Sequence, residues 1–431
     1  MNTTPRHQLT EIRIPTPTVK SRNSTAPLLH HRLPRIAALA WLAVLPTLAS
    51  AQDGTTEYVE PNAFEKLWSY ATLYKDDMNP ILQEFKLRGR YQGQYWDTDA
   101  DQGSQSNWED RRSRFGFDAK LYDKKVEARF DFQSNDQFND FYDGLVDAYL
   151  RWKPKKWLSF TAGKNKPMIG QYDWLESTNS QPTFERSQIF NQLGINRAAG
   201  LTAEGTLDEI SWRAGVYTNS TPATTADPVT KIASGKFGDG EFGDFTGGHS
   251  FSLGAGYDFK HLLNVVKADF RVDWLHSDRF KSDLVNNKYD DIVSSTFWVK
   301  EGYAAVVLEG FYATGGDYSS KKTKSDGSDV FGFFIQPTYD IIPNKLQLVG
   351  RYSHSESEGS RGVVGQSRYE KKVATNSVLG DAYDSLYGGV QYFINGDKLK
   401  VLAGAEWARL QTNKGDSYDG VTYLSGIRFS F

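Results

Sequence analysis

The chain has 431 residues, no cysteine, a formal net charge of −3 and a mean hydropathy of −0.56. The absence of cysteine excludes disulfide frameworks, thiol catalysis and cysteine-based metal sites. Past the N-terminal region, no apolar run approaches the ~20 residues that a membrane-spanning helix needs. The aromatic content of 14% is nevertheless high for so polar a chain. Aromatic girdles are typical of membrane β-barrels, whose strands need only ~9–11 residues.

The N-terminal region predicts a secretory signal peptide over residues 1–51. A basic stretch, a short apolar run and a small-x-small cleavage site follow one another, as in such peptides: His30 to Arg35, Ile36 to Leu48, and Ala49-Ser50-Ala51. Cleavage would take six basic residues and one acid from the net charge of −3, which leaves −8. Attraction for anions must then come from local arrangement. Residues 52–80 are predicted to be a periplasmic segment.

From Ile81 onward the chain shows sixteen segments in which apolar and polar residues alternate with the period of a β-strand. They are residues 81–95, 110–122, 125–133, 145–153, 157–163, 196–205, 209–217, 249–260, 264–275, 292–300, 303–313, 330–339, 345–353, 384–394, 398–410 and 420–431.

The connections between these segments alternate between short and long. The long, polar ones are 96–109, 134–144, 164–195, 218–248, 276–291, 314–329, 354–383 and 411–419. Outer-membrane barrels have short periplasmic turns, long external loops and an even number of strands. The pattern therefore predicts an all-β fold, a transmembrane antiparallel β-barrel of sixteen strands over residues 81–431. A soluble β-sandwich is the alternative, although it has no reason to sort its loops by length.

The final segment ends on an aromatic residue. Tyr423, Ile427, Phe429 and Phe431 share one face of this strand. The pattern resembles the C-terminal assembly signal of bacterial outer-membrane β-barrels, which implies the barrel assembly machinery as a partner and the lipid bilayer with lipopolysaccharide as surroundings. The last strand of a soluble sandwich is the alternative.

Basic residues cluster on the polar faces of the early strands. They are Lys86, Arg88, Arg90, Arg112, Arg114, Lys120, Arg129, Arg151 and, on the seventh strand, Arg213, with Lys267 on the ninth. Inward rings of Arg or Lys select anions, because each cation replaces part of the lost hydration shell. Alternatively, neighbouring acids neutralise them: Asp118, Glu127, Asp131, Asp147, Asp269 and Asp273.

The third long connection, 164–195, is rich in apolar residues and carries Lys164, Lys166 and Arg186. A long loop without secondary structure of its own is usually functional or disordered. We expect it to fold into the lumen and form the constriction, with these three cations beside it. A loop that packs over the rim or against a neighbouring subunit is the alternative.

Signatures of other functions are missing from the sequence. The mature chain has four histidines and neither HExxH nor GxSxG. The glycine-rich stretch 238–248 lacks phosphate-loop and EF-hand spacing, and Asp239, Glu241 and Asp244 are only a weak Ca²⁺ candidate. We therefore expect no enzymatic activity, no cofactor and no nucleic-acid partner.

Three motifs occur in order: Trp108 to Gly116 (WEDRRSRFG), Gly163 to Pro167 (GKNKP) and Phe184 to Ser187 (FERS). In sequence and spacing they resemble the phosphate-selective porin O and P family. The resemblance implies a homotrimer of sixteen-stranded barrels in the outer membrane of a Gram-negative bacterium, in which inward arginines and lysines conduct phosphate past a constriction.

The leading hypothesis is thus a porin for small anions, with phosphate or polyphosphate foremost. A general or organic-anion diffusion porin is the first alternative, and a non-conducting structural or adhesive barrel is the second. The inward faces of the later strands carry few basic residues, for example Gln336, Thr338, Gln347, Gln391 and Glu406. We therefore expect anions to travel along one wall of the pore.

Overall fold

The computed structural model describes residues 63–134, 138, 141–218, 249–278, 289–315, 318–320, 323–325, 329–359, 362–366, 368–373, 378–412 and 418–431. The predicted signal peptide and the candidate Ca²⁺ ligands Asp239, Glu241 and Asp244 lie outside these residues.

Sixteen long antiparallel strands form one closed sheet, in which each strand pairs with its neighbours in the chain. They are β2 (Leu82–Ala100), β3 (Gly103–Leu121), β4 (Val126–Ser134), β5 (Gly144–Lys155), β6 (Leu158–Asn165), β7 (Ala198–Leu207), β8 (Ile210–Thr218), β9 (His249–Asp258), β10 (Lys267–Ser277), β11 (Asp291–Glu301), β12 (Ala304–Thr314), β15 (Val330–Ile342), β16 (Leu346–Ser357), β19 (Ala382–Asn395), β20 (Leu399–Gln411) and β21 (Tyr418–Ser430). β2 pairs with β3 on one edge and with β21 on the other, which closes the barrel. The predicted sixteen-stranded barrel is confirmed.

Short elements complete the described chain. They are α1 (Ala63–Ser69), β1 (Thr72–Lys75), a π-helical turn (Gln171–Leu175), α2 (Gln188–Leu193), α3 (Lys260–Leu263), the ribbon β13 (Tyr318–Ser320) and β14 (Thr323–Ser325), β17 (Val363–Val364), α4 (Glu370–Val373) and β18 (Leu379–Gly380). None of the helices in the described part of the chain is long and apolar enough to cross a membrane.

Alternating side chains give the barrel wall two distinct faces. In β10, Phe270, Val272 and Trp274 are exposed on the outside, whereas Asp273 and Leu275 are buried inside. β2 likewise turns Leu87 outward. The period-two pattern fixes the direction of each side chain because successive Cβ atoms point to opposite faces of a strand.

The structure differs from the prediction at the first connection. Residues 96–109 were expected to form a long polar loop, but β2 runs to Ala100 and β3 begins at Gly103. The polar composition hides a regular alternation, in which Trp96 and Thr98 are buried. Thr98 shares a hydrogen bond with Thr422 of β21 at 2.9 Å. Cross-strand contacts of this kind extend β2 beyond the length that hydropathy alone suggested.

Two pieces of chain share the closing edge of β2. β21 ends beside Gly89, where the backbone of Phe431 exchanges two hydrogen bonds with Gly89. Below that point β1 continues in the same direction, and Thr72 pairs with Lys86. β1 therefore covers the part of the β2 edge that β21 does not reach. An unpaired strand edge would expose backbone groups that favour aggregation.

Aromatic packing secures this seam. The ring of Phe431 covers Gly89 at the place where a Cβ on residue 89 would stand, so that a larger residue there would have to displace the ring. Trp68 of α1 packs on Phe429 at 5.4 Å between ring centroids and donates its indole N–H to the carbonyl of Ser430.

An apolar core lies inside the barrel rather than around it. It joins the third connection, residues 166–197 (loop L3), to inward side chains of the later strands. Its members include Ile169, Trp174, Ile189, Phe190, Leu193, Leu275, Ile292, Phe311, Val330, Tyr383 and Leu410. L3 and the side chains packed against it thus fill part of the lumen, and the position of L3 determines which part of the lumen stays open.

Candidate functional site

Loop L3 contacts inward side chains on several walls of the barrel. The amides of Tyr172 and Asp173 donate to the carboxylate of Glu309 on β12, at 2.9 and 2.8 Å. Gly170 N donates to the Ser294 hydroxyl of β11 at 3.1 Å. On the seam side, the side-chain amide of Gln92 on β2 donates to the side-chain oxygen of Asn179 in L3, at 2.8 Å. The loop therefore lies inside the barrel.

Arg428 of β21 is the most heavily engaged contact of L3 with the wall. Its guanidinium donates to four loop carbonyls, at 2.5 to 3.2 Å: those of Thr178, Gln181, Thr183 and Phe184. The side chain is 4% exposed. A planar guanidinium with five N–H groups suits such a cluster of acceptors. Arg428 thus fixes the middle of the loop against the closing seam.

Arg351 of β16 supports the adjacent stretch of L3. It donates to the carbonyl of Glu185 at 2.7 Å and forms an ion pair with Glu406 of β20 at 3.1 Å. Glu185 itself receives a two-pronged contact from Arg111 of β3, at 2.5 and 2.9 Å. Burial would raise the pKa of Glu185, but the attraction and hydrogen bonds of Arg111 outweigh it and lower that pKa well below the usual range.

Arg111, Arg351 and Arg428 were not assigned a role from the sequence. Arg351 and Arg428 qualify the expectation that the later strands carry few inward basic residues, since both are buried inside the barrel. Their parity in β16 and β21 was readable, because each alternates with outward residues. What the sequence did not show was that their partners are loop carbonyls instead of a passing solute.

The predicted constriction cations lie in three different settings. Lys166 donates to three carbonyls of L3 itself, at 2.6 to 3.2 Å: those of Trp174, Leu175 and Glu176. Arg186 donates to the carbonyl of Asp173 at 2.5 Å and stacks 5.0 Å from the ring of Trp174. Both side chains therefore brace the loop.

Lys164 departs from its predicted place in the loop. β6 extends to Asn165, so that Lys164 is a strand residue opposite Ala148 and Ala199. Its face is the one that carries the exposed Leu150 and Leu201. Lys164 therefore lies on the outward face of β6, because successive side chains of a strand point to opposite faces.

Half of the eight predicted cations on β2 to β5, here called the basic wall, are paired with acids. Arg88 contacts Asp118 and Asp131 at 2.7 and 3.2 Å, and Arg129 contacts Asp118 at 2.7 Å. Lys120 pairs with Glu84 at 2.9 Å, and Arg151 approaches Glu127 at 3.6 Å. For these four residues, the alternative in which neighbouring acids neutralise the basic side chains is the one that the structure shows.

The other half of the basic wall has no carboxylate within ion-pair distance among the described residues: Lys86, Arg90, Arg112 and Arg114. Arg90 donates to the hydroxyls of Thr178 and Ser177 in L3, at 3.1 and 3.3 Å. Arg114 donates to the side-chain carbonyl of Gln133 at 3.3 Å. Arg112 is buried behind them and donates to Gln92 at 2.8 Å.

Arg90 and Arg114 face a cavity of about 220 Å³ between the basic wall and L3. Its other lining residues are Arg88, Gly89, Asp131, Ser177, Asn179, Ser430 and Phe431. Two guanidinium groups that have no carboxylate partner in the described part of the chain, beside hydroxyl and amide groups, form a concave and electropositive surface in the lumen. Such a surface can take oxygen atoms of an anion through forked N–H groups.

The remaining predicted cations lie across the barrel. Arg213 of β8 forms a buried two-pronged ion pair with Asp273 of β10, at 2.7 and 2.5 Å. Lys267 contacts Asp269 at 3.2 Å and stands 3.2 Å above the ring of Trp298. The structure therefore does not bring these two residues together with Arg90 and Arg114.

The family model described as phosphate-selective porin O and P matches residues 85–263, the family that the sequence motifs resemble. No curated protein matches the sequence. Solved structures share the fold: Salmonella typhi OmpF in complex with daunomycin (12% identity, 84% of this chain and 100% of that chain, TM-score 0.57), Pseudomonas putida OprB (11%, 80% and 94%, 0.56) and an anion-selective porin from Comamonas acidovorans (11%, 80% and 99%, 0.53).

Identities this low show a common fold and no more. Each structure named above shares the barrel over at least 80% of this chain. The chain thus has the closed sixteen-stranded barrel of the outer-membrane porins named above, and over residues 85–263 it is similar to the phosphate-selective porin O and P family.

Proposed function

We propose that the protein is a passive diffusion channel for small anions, phosphate foremost, without enzymatic activity. The observation that carries the proposal is the pair Arg90 and Arg114, which lines a lumen cavity beside L3 and has no carboxylate partner among the described residues. An ion that leaves bulk water here can exchange hydration for guanidinium N–H groups.

Conduction requires that no single contact hold the ion too tightly. The basic wall meets this requirement because its cations differ in availability. Among the described residues Arg90 and Arg114 form an ion pair with no acid, whereas Arg88 beside them is shared between Asp118 and Asp131. Lys86, on the same face of β2 as Arg88, extends the track towards the periplasmic end of the strand.

A general or organic-anion diffusion pore is the second candidate. The four acid-paired cations of the basic wall favour it, since neutralised groups give a polar lumen with weak preference for either sign. In both cases the expected assembly is a homotrimer in bilayer and lipopolysaccharide, inserted by the outer-membrane barrel assembly machinery.

The test is a reversal-potential measurement in planar bilayers on the double variant Arg90→Gln/Arg114→Gln. Glutamine keeps polarity and removes two charges. One charge ~5–8 Å from an ion in a water-like dielectric is worth ~0.5–1 kcal/mol, so the preference for chloride or phosphate over potassium should fall about two- to fivefold per charge. An unchanged preference would favour the general pore.

The matched control is Lys155→Gln/Lys156→Gln, which removes the same net charge from the exposed end of β5 and the first residue of the turn after it. It should leave the reversal potential unchanged, because charges outside the lumen are screened beyond ~8 Å at physiological salt.

A further inference from the structure

The seventh connection, residues 358–381 (loop L7), also folds into the barrel. In its described part, β17 pairs with β18, and Val363, Val364, Val373, Val378 and Leu379 are buried. Several of these side chains belong to the same apolar core as Ile189 and Phe190 of L3. A loop that was expected to reach outward therefore has a packed interior against α2.

The side chains of α2 recognise the backbone of L7. Gln188 donates to the carbonyl of Val364 at 2.6 Å, and Gln192 donates to the carbonyl of Gly362 at 2.8 Å. Gln192 also accepts from the amide of Val364 at 3.1 Å. Two amide side chains thus satisfy three backbone groups of one short segment.

A second set of contacts joins the two loops next to these. Gln366 of L7 accepts from the amide of Asn191 at 3.0 Å, and it donates to the carbonyl of Arg186 at 3.3 Å. The side-chain oxygen of Gln188 also accepts from the hydroxyl of Ser355 on β16 at 2.6 Å, so this residue contacts both L7 and the barrel wall. α2 therefore lies between L7 and the barrel.

L7 is in turn anchored to the wall away from L3. The carboxyl of Glu370 accepts from Tyr383 of β19 at 2.6 Å and from the amide of Gln366 at 2.6 Å. Tyr369 accepts from Gln94 of β2 at 2.7 Å and packs on Trp96. Arg368 forms an ion pair with Glu109 of β3 at 2.6 Å.

Separation of the two loops is unfavourable for a simple reason. Gln188 and Gln192 are each 3% exposed, and their backbone partners lie in the same dry region. A buried polar group that loses its hydrogen-bond partner destabilises the fold by its full desolvation free energy. α2 therefore cannot leave its place in the lumen while L7 stays, unless these groups find water.

We propose that L7 sets the size limit of the pore by holding α2 of L3 in place, with Gln188 and Gln192 as the positioning residues. The proposal rests on the chain being an open diffusion channel. It assigns the exclusion of large solutes to a contact between two loops and not to the cations of the basic wall.

The first experiment compares Gln188→Leu/Gln192→Leu with the unaltered protein in planar bilayers. Leucine keeps the volume and removes every hydrogen bond to residues 362–364. The largest neutral polyethylene glycol that enters should increase, and single-channel conductance should rise roughly twofold, because conductance follows the narrowest level of a pore. Equal size limits in the two proteins would overturn the proposal.

The matched control is Gln347→Leu/Gln391→Leu. These two residues also face the lumen and hydrogen-bond to each other at 2.6 Å, on β16 and β19, and neither hydrogen-bonds to a described residue of L3 or L7. The control should keep the size limit of the unaltered protein. A shift as large as that of the Gln188/Gln192 variant would mean that any lost amide pair loosens the barrel, which would also overturn the proposal.

A cysteine pair allows the contact between L3 and L7 to be broken and restored in one protein. The natural chain has no cysteine that would compete for the new disulfide. In Gln192→Cys/Val364→Cys the amide contacts are lost when the thiols are reduced and replaced by a covalent link on oxidation. We expect a high conductance when reduced and the ordinary value when oxidised. No difference between two verified states would contradict the proposal.

The measurements separate this proposal from the proposed function. Absence of any conduction by the unaltered protein would defeat the channel itself. Conduction without anion preference, combined with the expected change in polymer size limit, would defeat only the anion assignment.

Discussion

Two sides of the same barrel use their inward faces in opposite ways. On β2 to β5 many inward residues are charged, and those of β2 to β4 border a cavity. On the later strands many are apolar and buried under L3 and L7, as Leu275, Phe311 and Leu410 are. Strand periodicity is the same on both sides. The comparison shows that the position of a loop inside the lumen decides whether an inward residue meets water or a core.

The charged residues show the same contrast. Arg114 on the basic wall points at open space beside Gln133, whereas Arg428 across the seam is saturated by four carbonyls. Both are arginines on inward parity. Only the first lines the cavity beside L3, and the second holds L3 against the closing seam.

The largest effect is expected from Arg428→Met, which breaks the contrast by releasing L3. Four buried carbonyls lose their donor, and an unsatisfied buried group costs about 1–3 kcal/mol. Single-channel conductance should become large and noisy, and thermal unfolding in detergent should shift to lower temperature. Arg409→Met, on the exposed end of β20 with a weak contact to Asp419 at 3.8 Å, is the control and should change neither.

Phe311→Ala tests the filled side through its core. Phe311 is 1% exposed and packs on Phe190 of L3 at 5.9 Å between centroids. Loss of a buried phenylalanine typically costs about 3–5 kcal/mol, so we expect lower thermal stability and greater protease cleavage within L3. Phe297→Ala, which removes an exposed outward ring, should have a smaller effect. Equal losses would mean that L3 is not held by this core.

Much of this architecture was readable from the sequence, and the reason is local. Alternation along β10 or β21 identifies a strand without knowledge of its neighbours, and the seven short turns give the pairing order. The apolar content of residues 168–190 also indicated an inward loop. Each of these signals lies within a few residues of chain.

The parts that escaped prediction depend on contacts distant in sequence. Nothing near Arg428 indicates that its partners lie at residues 178–184, and nothing near Gln192 indicates Gly362. L7 read as a polar external loop because its buried valines are scattered among Lys, Ser and Gly. The first hairpin was missed because its alternation involves Trp96 and Thr98 among acids.

A smaller effect is expected from pH, through Glu370. Burial raises the pKa of Glu370 to about 8, with the nearby Glu406 acting in the same direction. The folded carboxyl thus keeps a proton that an unfolded one, near 4.5, has lost. The resulting stabilisation is complete below pH 4.5 and is lost as pH rises towards 8.

Protease cleavage of L7 should therefore increase between pH 6 and pH 9 in the unaltered protein. Glu370→Gln, which mimics the protonated carboxyl, should flatten that dependence. A profile that the substitution leaves unchanged would show that Glu370 does not anchor the loop.

The central claim is that the lumen is open beside the basic wall and filled by L3 and L7 on the opposite side. Its most direct test is the accessibility of introduced thiols from the aqueous phase. Gln133→Cys places a thiol on the basic wall next to Arg114, and Ser353→Cys places one on β16, where the serine is 1% exposed and its hydroxyl has no partner among the described residues. A charged methanethiosulfonate should react rapidly at position 133 and reduce conductance, and it should leave position 353 unmodified. Equal reaction at both positions would contradict the account, because it would show water on the side that L3 and L7 are expected to fill.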